Sequence, residues 1–433
     1  MKYKPYSKYK ESRVEWLAMV PEHWIVKKIK WDSAVFRGAS PRPIDDPIFF
    51  DDEGEYAWVR ISDVTASNEY LEATEQRLSE VGASLSVKLN PGSLFLSIAA
   101  TVGKPCITQI KCCIHDGFVW FPYLKANPKF LYYIFACGES YKGLGKFGTQ
   151  LNLNTETVGS IHIAFPPDVE QNLIVSFLDH ETSRIDTLIE KKQELIKLLQ
   201  EKRTALIHNA VTKGLNPNVK LKDSEIEWLG MLPEYWEIKK LKYVSKGVQT
   251  GITPPTDREE YFEDGVNWFT PADFSTNLLL NDSKRKLSKL AFEDGVAKLF
   301  PANSVFFVGI GATLGKVGYI DKPASSNQQI NAIYFETLEK AKYYSYYLLI
   351  NQPNIVALAN ASTLAILNQT QTKDIPVIVP DYNELKLLVS YLDTETTKID
   401  NLITEVEKAI IKLQEYRIAV ITAAVTGKIN VSE

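Results

Sequence analysis

The sequence has little sulfur and no long apolar run. Only four of its 433 residues are cysteines and three are methionines. No stretch reaches the roughly 18 apolar residues that a transmembrane helix requires. The basic, aromatic opening MKYKPYSKYKESRVEW also lacks the apolar core of a signal peptide. Both absences predict a cytoplasmic protein with no membrane partner.

The cysteines do not form a pattern typical of metal ligands. All four (Cys106, Cys112, Cys113 and Cys137) lie in the first half of the chain, without C-x-x-C spacing. A disulfide framework or zinc site would be expected to recur wherever the chain repeats itself, and these residues do not recur. We therefore expect four buried thiols.

The charge balance does not identify a partner. The formal net charge is −4, whereas a basic domain is the usual mark of a nucleic-acid binder. Local basic clusters interrupt this acidity: Lys27, Lys28 and Lys30, their repeats Lys239, Lys240 and Lys242, and the run Lys284-Arg285-Lys286. The distribution fits contact with nucleic acid over a limited face, and it fits equally a protein without such a partner.

The chain contains an internal repeat of more than 200 residues. The segment WLAMVPEHWIVKKIK (Trp16–Lys30) returns as WLGMLPEYWEIKKLK (Trp228–Lys242), and LDHETSRID (Leu178–Asp186) returns as LDTETTKID (Leu392–Asp400). The period is too long for a solenoid, and each copy is long enough to fold alone. The sequence therefore predicts two similar, diverged halves.

Each half begins with a strand-rich part, residues 13–167 and 225–381. Short β-branched and aromatic runs alternate there with Gly, Pro, Asn and Asp, as in Tyr56–Val64, Gly92–Ala100 and Ile161–Pro167. Such runs predict strands joined by turns. The predicted fold class is α+β.

Each half ends with a long predicted helix. No Gly or Pro occurs between Asp168 and Val211, and Gly214 and Gly427 are positioned to end the two helices. An apolar a/d/e stripe recurs in both. Its a positions include Ile185, Leu199, Ile399 and Val406, and its e positions are Ile189, Ile196, Ile403 and Ile410. Its d positions are Leu188, Leu195, Lys202, Leu402, Ala409 and Tyr416.

The connectivity predicts an antiparallel helical pair. The first helix leads from domain 1 to domain 2, and the second has no further domain to reach, so burying the two stripes on each other turns it back toward domain 1. The expected architecture is two tandem, pseudo-twofold-related strand-rich domains (1–167 and 215–381) separated by two antiparallel coiled-coil helices (168–214 and 382–433). Such a shape is suited to reading an asymmetric, bipartite DNA site.

Ordered motifs carry a family resemblance over essentially the whole chain. They are S-x-x-E-W-L-x-x-x-P-E-x-W, then G-x-[ST]-P, W-x-x-x-x-D and T-x-G-K, followed by a strand–Pro–helix junction. They begin at Ser12, Gly38, Trp58 and Thr101 in the first copy and at Ser224, Gly251, Trp268 and Thr313 in the second. The chain resembles the specificity subunit of type I restriction–modification systems.

The resemblance implies two target recognition domains on double-stranded DNA. It also implies assembly with two methyltransferase subunits and, for cleavage, with restriction/translocase subunits. No cofactor is expected on this chain, because S-adenosylmethionine would bind to the methyltransferase subunits, and ATP and Mg to the restriction subunits.

Residue patterns disfavour catalysis by the chain itself. No Asn/Asp-Pro-Pro-aromatic loop of an amino-methyltransferase is present. The segment Gly311–Lys316 is one residue short of a phosphate loop and lacks its Ser/Thr, so we interpret it as a strand turn. The segment Pro380–Lys386 imitates a nuclease motif but is better explained as a helix start with Asp at the N-cap.

Comparison of the two copies suggests which residues read bases. Half-sites differ, so residues identical in both copies, such as the repeated Trp and Pro, should be structural, and base-reading residues should lie where the copies diverge. Arg can contact guanine, and Gln or Asn can contact adenine. The candidates are Arg37, Ser40, Arg42, Arg60, Thr149 and Gln150 in copy one, and Thr253, Thr256, Arg258, Thr270, Ser362 and Thr363 in copy two. Lys104 and Lys316, kept in both copies, fit a shared phosphate contact.

Each candidate residue could instead be a phosphate contact or a solvated loop residue.

Two other function classes remain open for the chain. The chain as a whole could be a coiled-coil scaffold whose globular ends bind proteins. A self-contained modification enzyme is disfavoured by the missing catalytic motifs. Salt-sensitive, sequence-specific binding to duplex DNA separates the leading hypothesis from the scaffold.

Overall fold

The computed structural model describes residues 3–142, 144, 153–359 and 365–431. The chain divides into two compact units, residues 1–192 with 407–433 and residues 193–406. Each unit contains one strand-rich domain together with one end of each long helix. Among the described residues, no helix has the length and apolarity to span a membrane.

The first unit is built from short strands. Its helices are α1 (Ile61–Ala66), α2 (Glu80–Ser84), α3 (Pro128–Ala136), α4 (Thr155–Ser160) and the beginning of α5 (Asp168–Lys213). Its strands are β1 (Tyr9–Glu11), β2 (Met19–Pro21), β3 (Ile25–Lys28), β4 (Phe36–Arg37), β5 (Tyr56–Val59), β6 (Tyr70–Leu71), β7 (Gln76–Leu78), β8 (Val87–Leu89), β9 (Leu94–Ser97), β10 (Pro105–Thr108), β11 (Cys112–Ile114), β12 (Phe118–Trp120) and β13 (His162–Phe165).

Two sheets form the middle of this unit. A five-stranded sheet has the order β4-β12-β9-β10-β6, and a four-stranded sheet has the order β7-β5-β11-β8. Strand β13 pairs antiparallel with β3, and β1 pairs with β2. The first of these pairs ties the segment just before α5 to the beginning of the domain.

The second unit repeats this plan. Its helices are α6 (Lys289–Glu293), α7 (Leu338–Ile350), α8 (Gln352–Ala357), α9 (Gln369–Lys373) and the beginning of α10 (Tyr382–Val425). Its strands are β14 (Leu221–Asp223), β15 (Met231–Pro233), β16 (Glu237–Lys240), β17 (Gly247–Thr250), β18 (Val266–Phe269), β19 (Arg285–Leu287), β20 (Ser304–Val308), β21 (Val317–Ile320), β22 (Ser325–Ser326), β23 (Ile330–Tyr334) and β24 (Pro376–Val379). The sheets have the orders β17-β23-β20-β21 and β19-β18-β22, and β16 pairs with β24. The predicted α+β class and the tandem strand-rich domains are confirmed.

Each domain core is completed by both long helices. In the first unit, Ile174 and Leu178 from the beginning of α5 share one apolar cluster with Ile421 and Val425 from the end of α10. In the second unit, the end of α5 and the beginning of α10 share the main cluster through Ile207, Val211, Leu388 and Leu392. Within each unit one helix therefore leaves where the other arrives, so their ends run antiparallel.

Each long helix has a seam of buried or half-buried residues, that is, a row of positions with alternating spacings of four and three residues, as in a coiled coil. The seam of α5 consists of Leu178, Thr182, Ile185, Ile189, Lys192, Ile196, Leu199, Arg203 and Leu206, all buried or half-buried. Helix α10 repeats it at a shift of 214 residues, from Leu392 to Val420. The predicted a and e positions thus form the seam.

Apart from the half-buried Ala409, the predicted d positions do not belong to the seam. Leu188 and Leu402 are 41% and 47% exposed, and Leu195 and Tyr416 are also exposed. At 3.6 residues per turn, position e lies about 40° to one side of position a and position d about 60° to the other. A seam centred between a and e therefore leaves d at its edge. The expectation that d is buried was wrong.

The segment Tyr56–Val64 is not a single strand, contrary to the prediction. Strand β5 ends at Val59, and helix α1 begins at Ile61. The Asp63 carboxylate accepts a hydrogen bond from the Arg60 backbone N–H at 2.7 Å, and Asp273 does the same for Thr270. The final Asp of the W-x-x-x-x-D motif is therefore a capping residue that ends the strand.

Other predictions about local structure are confirmed. All four cysteines are free and buried. Gly214 and Gly427, with φ of 74° and 70°, follow the ends of α5 and α10. Gly311 and Gly315 lie in the turn between β20 and β21, where the Gly315 N–H donates to Val308 O at 2.9 Å. Asp381 precedes α10 and accepts from the Asn383 N–H.

Candidate nucleic-acid interface

Three predicted candidates of the first domain converge on one residue, Asp116, two of them on its carboxylate and one on its backbone carbonyl. The Ser40 hydroxyl donates to Asp116 Oδ1 at 3.1 Å, and Arg42 Nη2 donates to Asp116 Oδ2 at 3.0 Å. Arg37 Nε donates to the Asp116 carbonyl at 2.5 Å. The side chains of Arg42 and Asp116 remain 68% and 42% exposed. The result is a charged, solvent-facing group of fixed geometry beside the Gly38–Pro41 turn.

The electrostatics keep this group ionised. Partial burial raises the pKa of Asp116. The Ser40 hydrogen bond and the charges of Arg42 and Arg37 together lower it by more than burial raises it, so the pKa lies below its ordinary value. Burial lowers the pKa of the neighbouring His115, and the nearby Asp116 carboxylate offsets this only in part. His115 Nδ1 accepts a hydrogen bond from the Gly117 N–H at 2.8 Å, which requires the unprotonated ring nitrogen.

The second domain has the corresponding contact with different chemistry. The Thr253 hydroxyl, which corresponds to that of Ser40, donates to Oε1 of Gln328. Gln328 lines a cleft of about 430 Å³ together with the polar residues Thr250, Gln329, Asn331, Asn368 and Gln369 and the apolar residues Ile310, Ile366 and Leu367. The first domain therefore presents an Asp–Arg pair where the second presents a carboxamide.

Two other predicted candidates of the first domain lie at opposite ends of α1. Arg60 precedes the helix, and its exposed side chain lines a cleft that also holds Asp45, Asp51 and Asp52. Lys104 Nζ donates to the carbonyls of Thr65 and Ser67 at 2.9 and 2.6 Å. These carbonyls lie in the last turn of α1 and just beyond it, so Lys104 stabilises the end of the helix, where a cation is favoured.

The remaining candidates of the second domain do not form one cluster. The Thr270 hydroxyl donates to Asp273 at 2.7 Å and is part of a cap. Arg258 Nη1 donates to the Tyr261 hydroxyl at 2.8 Å. Thr256 is exposed, as is Lys316. Among the described residues, none is hydrogen-bonded to the Lys316 ammonium, so Lys316 and Lys104 have different surroundings. Thr149, Gln150, Ser362 and Thr363 lie outside the described residues.

Sequence reasoning missed Asp116 and Gln328. Both occupy the same place relative to the G-x-[ST]-P turn, and both differ between the copies, which is the criterion that selected the other candidates. The T-x-G-K motifs at Thr101 and Thr313 fix the local shift at 212 residues, and the same shift relates 116 to 328. An alignment of the two halves at this shift could have found the pair.

The repeated Pro-Glu-x-Trp motif is structural. Trp24 and Trp236 are fully buried. Trp24 Nε1 donates to Glu170 at 3.1 Å, and Trp236 Nε1 donates to Glu384 at 2.8 Å. His23 Nε2 lies 2.8 Å from the second oxygen of Glu170. These carboxylates anchor each domain entry to the first turn of a long helix, which confirms that the repeated Trp residues belong to the core.

Two similar domains with one shared turn and different exposed residues define a tandem recognition protein. The family model of the type I restriction modification DNA specificity domain matches residues 39–198 and 233–413. The chain belongs to this family. This match confirms the prediction of a DNA-specificity subunit, a class that is not itself catalytic.

Similar proteins support the assignment over the full length. The MjaIX specificity subunit of Methanocaldococcus jannaschii is 25% identical over 100% of this chain and 99% of that protein. The HindI specificity subunit of Haemophilus influenzae is 28% identical over 34% of this chain and 33% of its own length.

Solved structures share the fold. One similar chain comes from a structure of a type I R-M system that describes its complex assembly and conformational transition. Its TM-score is 0.73 at 15% identity, and the match covers 94% of this chain and 98% of that chain. The HsdS subunit from Thermoanaerobacter tengcongensis has a TM-score of 0.54 at 15% identity, covering 95% and 98%. At this identity the likeness concerns the fold alone.

Proposed function

We propose that the chain reads an asymmetric, bipartite site in duplex DNA, with one half-site for each strand-rich domain. The domains are residues 1–167 and 215–381, and the helical segments 168–214 and 382–433 set the spacer between the half-sites. One observation carries the proposal: the same turn in both domains presents different exposed polar groups, Asp116 with Arg42 in one and Gln328 in the other.

The electrostatics favour a confined DNA contact. The net charge of −4 does not support binding over the whole surface. The exposed cations include Arg42 and Arg37 beside the Gly38–Pro41 turn of the first domain and Lys316 beside the turn between β20 and β21 of the second. Phosphate contacts at such turns would position the domain, while the neighbouring divergent side chains would read base edges.

We also propose that two methyltransferase subunits bind the chain, one for each repeat. Exposed leucines recur on the long helices at a shift of 214 residues. Leu173 and Leu387 are 43% and 65% exposed, and Leu188 and Leu402 are 41% and 47% exposed. Repeated apolar positions at equivalent places suit two copies of one partner. The partners would carry S-adenosylmethionine, and restriction subunits would carry ATP and Mg.

A segment exchange tests the modular reading of DNA. Residues 25–160 are replaced by the corresponding segment of a relative with another target, and the hybrid is expressed with its methyltransferase subunits. Sequencing of methylated adenines in the host genome should show one changed half-site, with the other half-site and the spacer retained. A change in both half-sites, or in the spacer alone, would refute the domain assignment.

DNA binding itself separates this proposal from the protein-binding scaffold. The full chain with its methyltransferase partners should select one bipartite sequence from random duplex DNA. The observed binding constant should fall as salt rises, because phosphate contacts release counterions. Partner binding without any DNA sequence selection would favour the scaffold.

A further inference from the structure

The two domains share one structural frame. In each, the G-x-[ST]-P turn faces a second turn, residues 115–118 in the first domain and 327–330 in the second. The Ala39 N–H donates to Ile114 O at 3.1 Å, and the Ile252 N–H donates to Ser326 O at 3.0 Å. These four residues hold the paired turns in the same register.

The facing turns also share an internal hydrogen bond. The Gly117 N–H donates to His115 Nδ1 at 2.8 Å, and the Gln329 N–H donates to Asn327 Oδ1 at 3.1 Å. An imidazole nitrogen in one copy and a carboxamide oxygen in the other thus accept the same backbone donor. The residue between donor and acceptor is Asp116 or Gln328, which therefore lies at the tip of equivalent turns.

Glycine is required for the two turns to approach each other so closely. A Cβ on Gly38 would lie 2.1 Å from His115 O, and a Cβ on Gly251 would lie 2.2 Å from Ser326 O. Neither backbone contact can give way without moving a strand end. The same close approach therefore constrains the backbone in both copies, whereas the tip residue differs between them.

The tip residue carries the difference in chemistry. Asp116 can only accept hydrogen bonds, and it holds Arg42, whose guanidinium keeps further donors for a partner. Gln328 both donates and accepts, and the Thr253 hydroxyl occupies only one lone pair of its oxygen. A carboxamide pairs with adenine through N6 and N7, whereas arginine pairs with guanine through O6 and N7.

We propose that Asp116 and Gln328 are equivalent specificity positions, one for each half-site. In the second domain, Gln328 contacts adenine directly. In the first domain, Arg42 contacts guanine, and Asp116 is the positioning residue that holds the guanidinium. The two half-sites would thus have different purines at corresponding places. The inference rests on the proposed function, because it requires each domain to read one half-site.

Selection from random duplex DNA tests the inference. The full chain, assembled with its methyltransferase subunits, is compared with four variants at one salt concentration. Gln328→Ala should lose the preference for adenine at one position of one half-site, by about 5- to 150-fold, the discrimination of a good bidentate contact. Gln328→Glu should turn that preference toward cytosine, whose amino group a carboxylate accepts. Asp116→Asn and Arg42→Ala should both relax one position in the other half-site.

Matched controls exclude indirect effects. Gln200→Ala on α5 and Asp321→Ala after β21 remove exposed side chains of the same types away from the turns, and they should leave every base preference unchanged. The side chain of Asp116 is 42% exposed and Gln328 is exposed, so the variants should melt within a few degrees of the unmodified chain.

Different outcomes would contradict the assignment of Asp116 and Gln328 and the proposed function itself. If the unmodified complex selects a bipartite site and the variants select the same bases, the assignment of Asp116 and Gln328 is wrong while the proposed function stands. If Asp116→Asn and Arg42→Ala relax different positions, Asp116 does not act through Arg42. If the unmodified complex selects no sequence, the proposed function fails, and the inference fails with it.

Discussion

Arg417 and Asp186 join the two long helices in the first unit through a bidentate ion pair, with Nε to Oδ1 at 2.8 Å and Nη2 to Oδ2 at 3.2 Å. Arg203 and Asp400 form the same pair in the second unit, at 2.9 and 3.3 Å. Both residues of each pair repeat at a shift of 214. The duplication of the sequence thus appears as a duplicated contact.

Removal of one partner should weaken the helix contact modestly. The Arg417 and Asp186 side chains are 29% and 52% exposed, and solvent screens such pairs to about 0.2–1 kcal/mol. A double-mutant cycle with Asp186→Ala and Arg417→Ala, measured by urea unfolding at low salt, should give a coupling energy in this range. The cycle on Asp400 and Arg203 is the matched control and should agree. A coupling energy that does not shrink in 1 M salt would contradict the electrostatic account.

Loss of the Glu170 carboxylate should destabilise the first unit more strongly. Glu170→Ala leaves the buried Trp24 N–H without its acceptor, which costs about 1–3 kcal/mol. Glu170→Gln keeps an acceptor and should cost less. Urea unfolding followed by tryptophan fluorescence measures both, and Glu384→Ala is the equivalent change beside Trp236. Equal losses from the Ala and Gln variants would show that the hydrogen bond to Trp24 is not the cause.

The repeated lysines Lys104 and Lys316 should respond differently to substitution. Lys316→Met should lower DNA affinity for all sequences alike and reduce the salt slope by about one, with the melting temperature unchanged. Lys104→Met should also lower the melting temperature, because it frees the carbonyls of Thr65 and Ser67. Identical behaviour of the Lys104 and Lys316 variants would refute this difference between the two lysines.

Arg60→Ala, at the other end of α1, should relax the sequence preference at one half-site by about 1–3 kcal/mol.

The stability of the first domain should fall in mild acid through His115. Burial lowers the folded-state pKa of His115 below its ordinary value of 6.5. The unfolded chain therefore takes up the proton first, and the stabilisation present above pH 6.5 is lost as the pH falls through the folded-state pKa. His115→Asn supplies the acceptor that Asn327 provides in the second domain, and it should remove this part of the pH dependence. Unfolding curves between pH 7 and pH 5 provide the measurement. An unchanged pH profile in His115→Asn would assign the acid sensitivity to other groups.

Helix length should set the spacer between half-sites. One heptad inserted after Glu194 and one after Lys408 preserves the alternating four- and three-residue spacing of both seams. The helices lengthen by about 10 Å at 1.5 Å per residue, which corresponds to roughly three base pairs at about 3.4 Å each. Selection from DNA with randomised spacers should show the longer spacer and the same half-sites. An unchanged spacer preference with binding intact would mean that the length of the helices does not set the spacer.

Some properties follow from the sequence alone because they depend on local pattern and on repetition. The shift between LDHETSRID and LDTETTKID revealed the duplication. The absence of Gly and Pro after Asp168 predicted α5, and Gly214 predicted its end. These signals are local, since a helix, its cap and its breaker are decided by neighbouring residues. The family resemblance was readable because the same motifs occur twice in the same order.

The tertiary structure alone decided which apolar positions face a partner and which loops meet. Periodicity allowed a, d and e positions to be buried, and packing selected a and e, which left Leu188 and Leu402 exposed. The Ser40–Asp116 and Thr253–Gln328 contacts join residues 76 and 75 positions apart. No local pattern encodes such a meeting, because it depends on how the strands β4 and β12, or β17 and β23, pair across the whole domain. An alignment of the two halves relates Asp116 to Gln328, but only the fold shows that each of them lies against a G-x-[ST]-P turn.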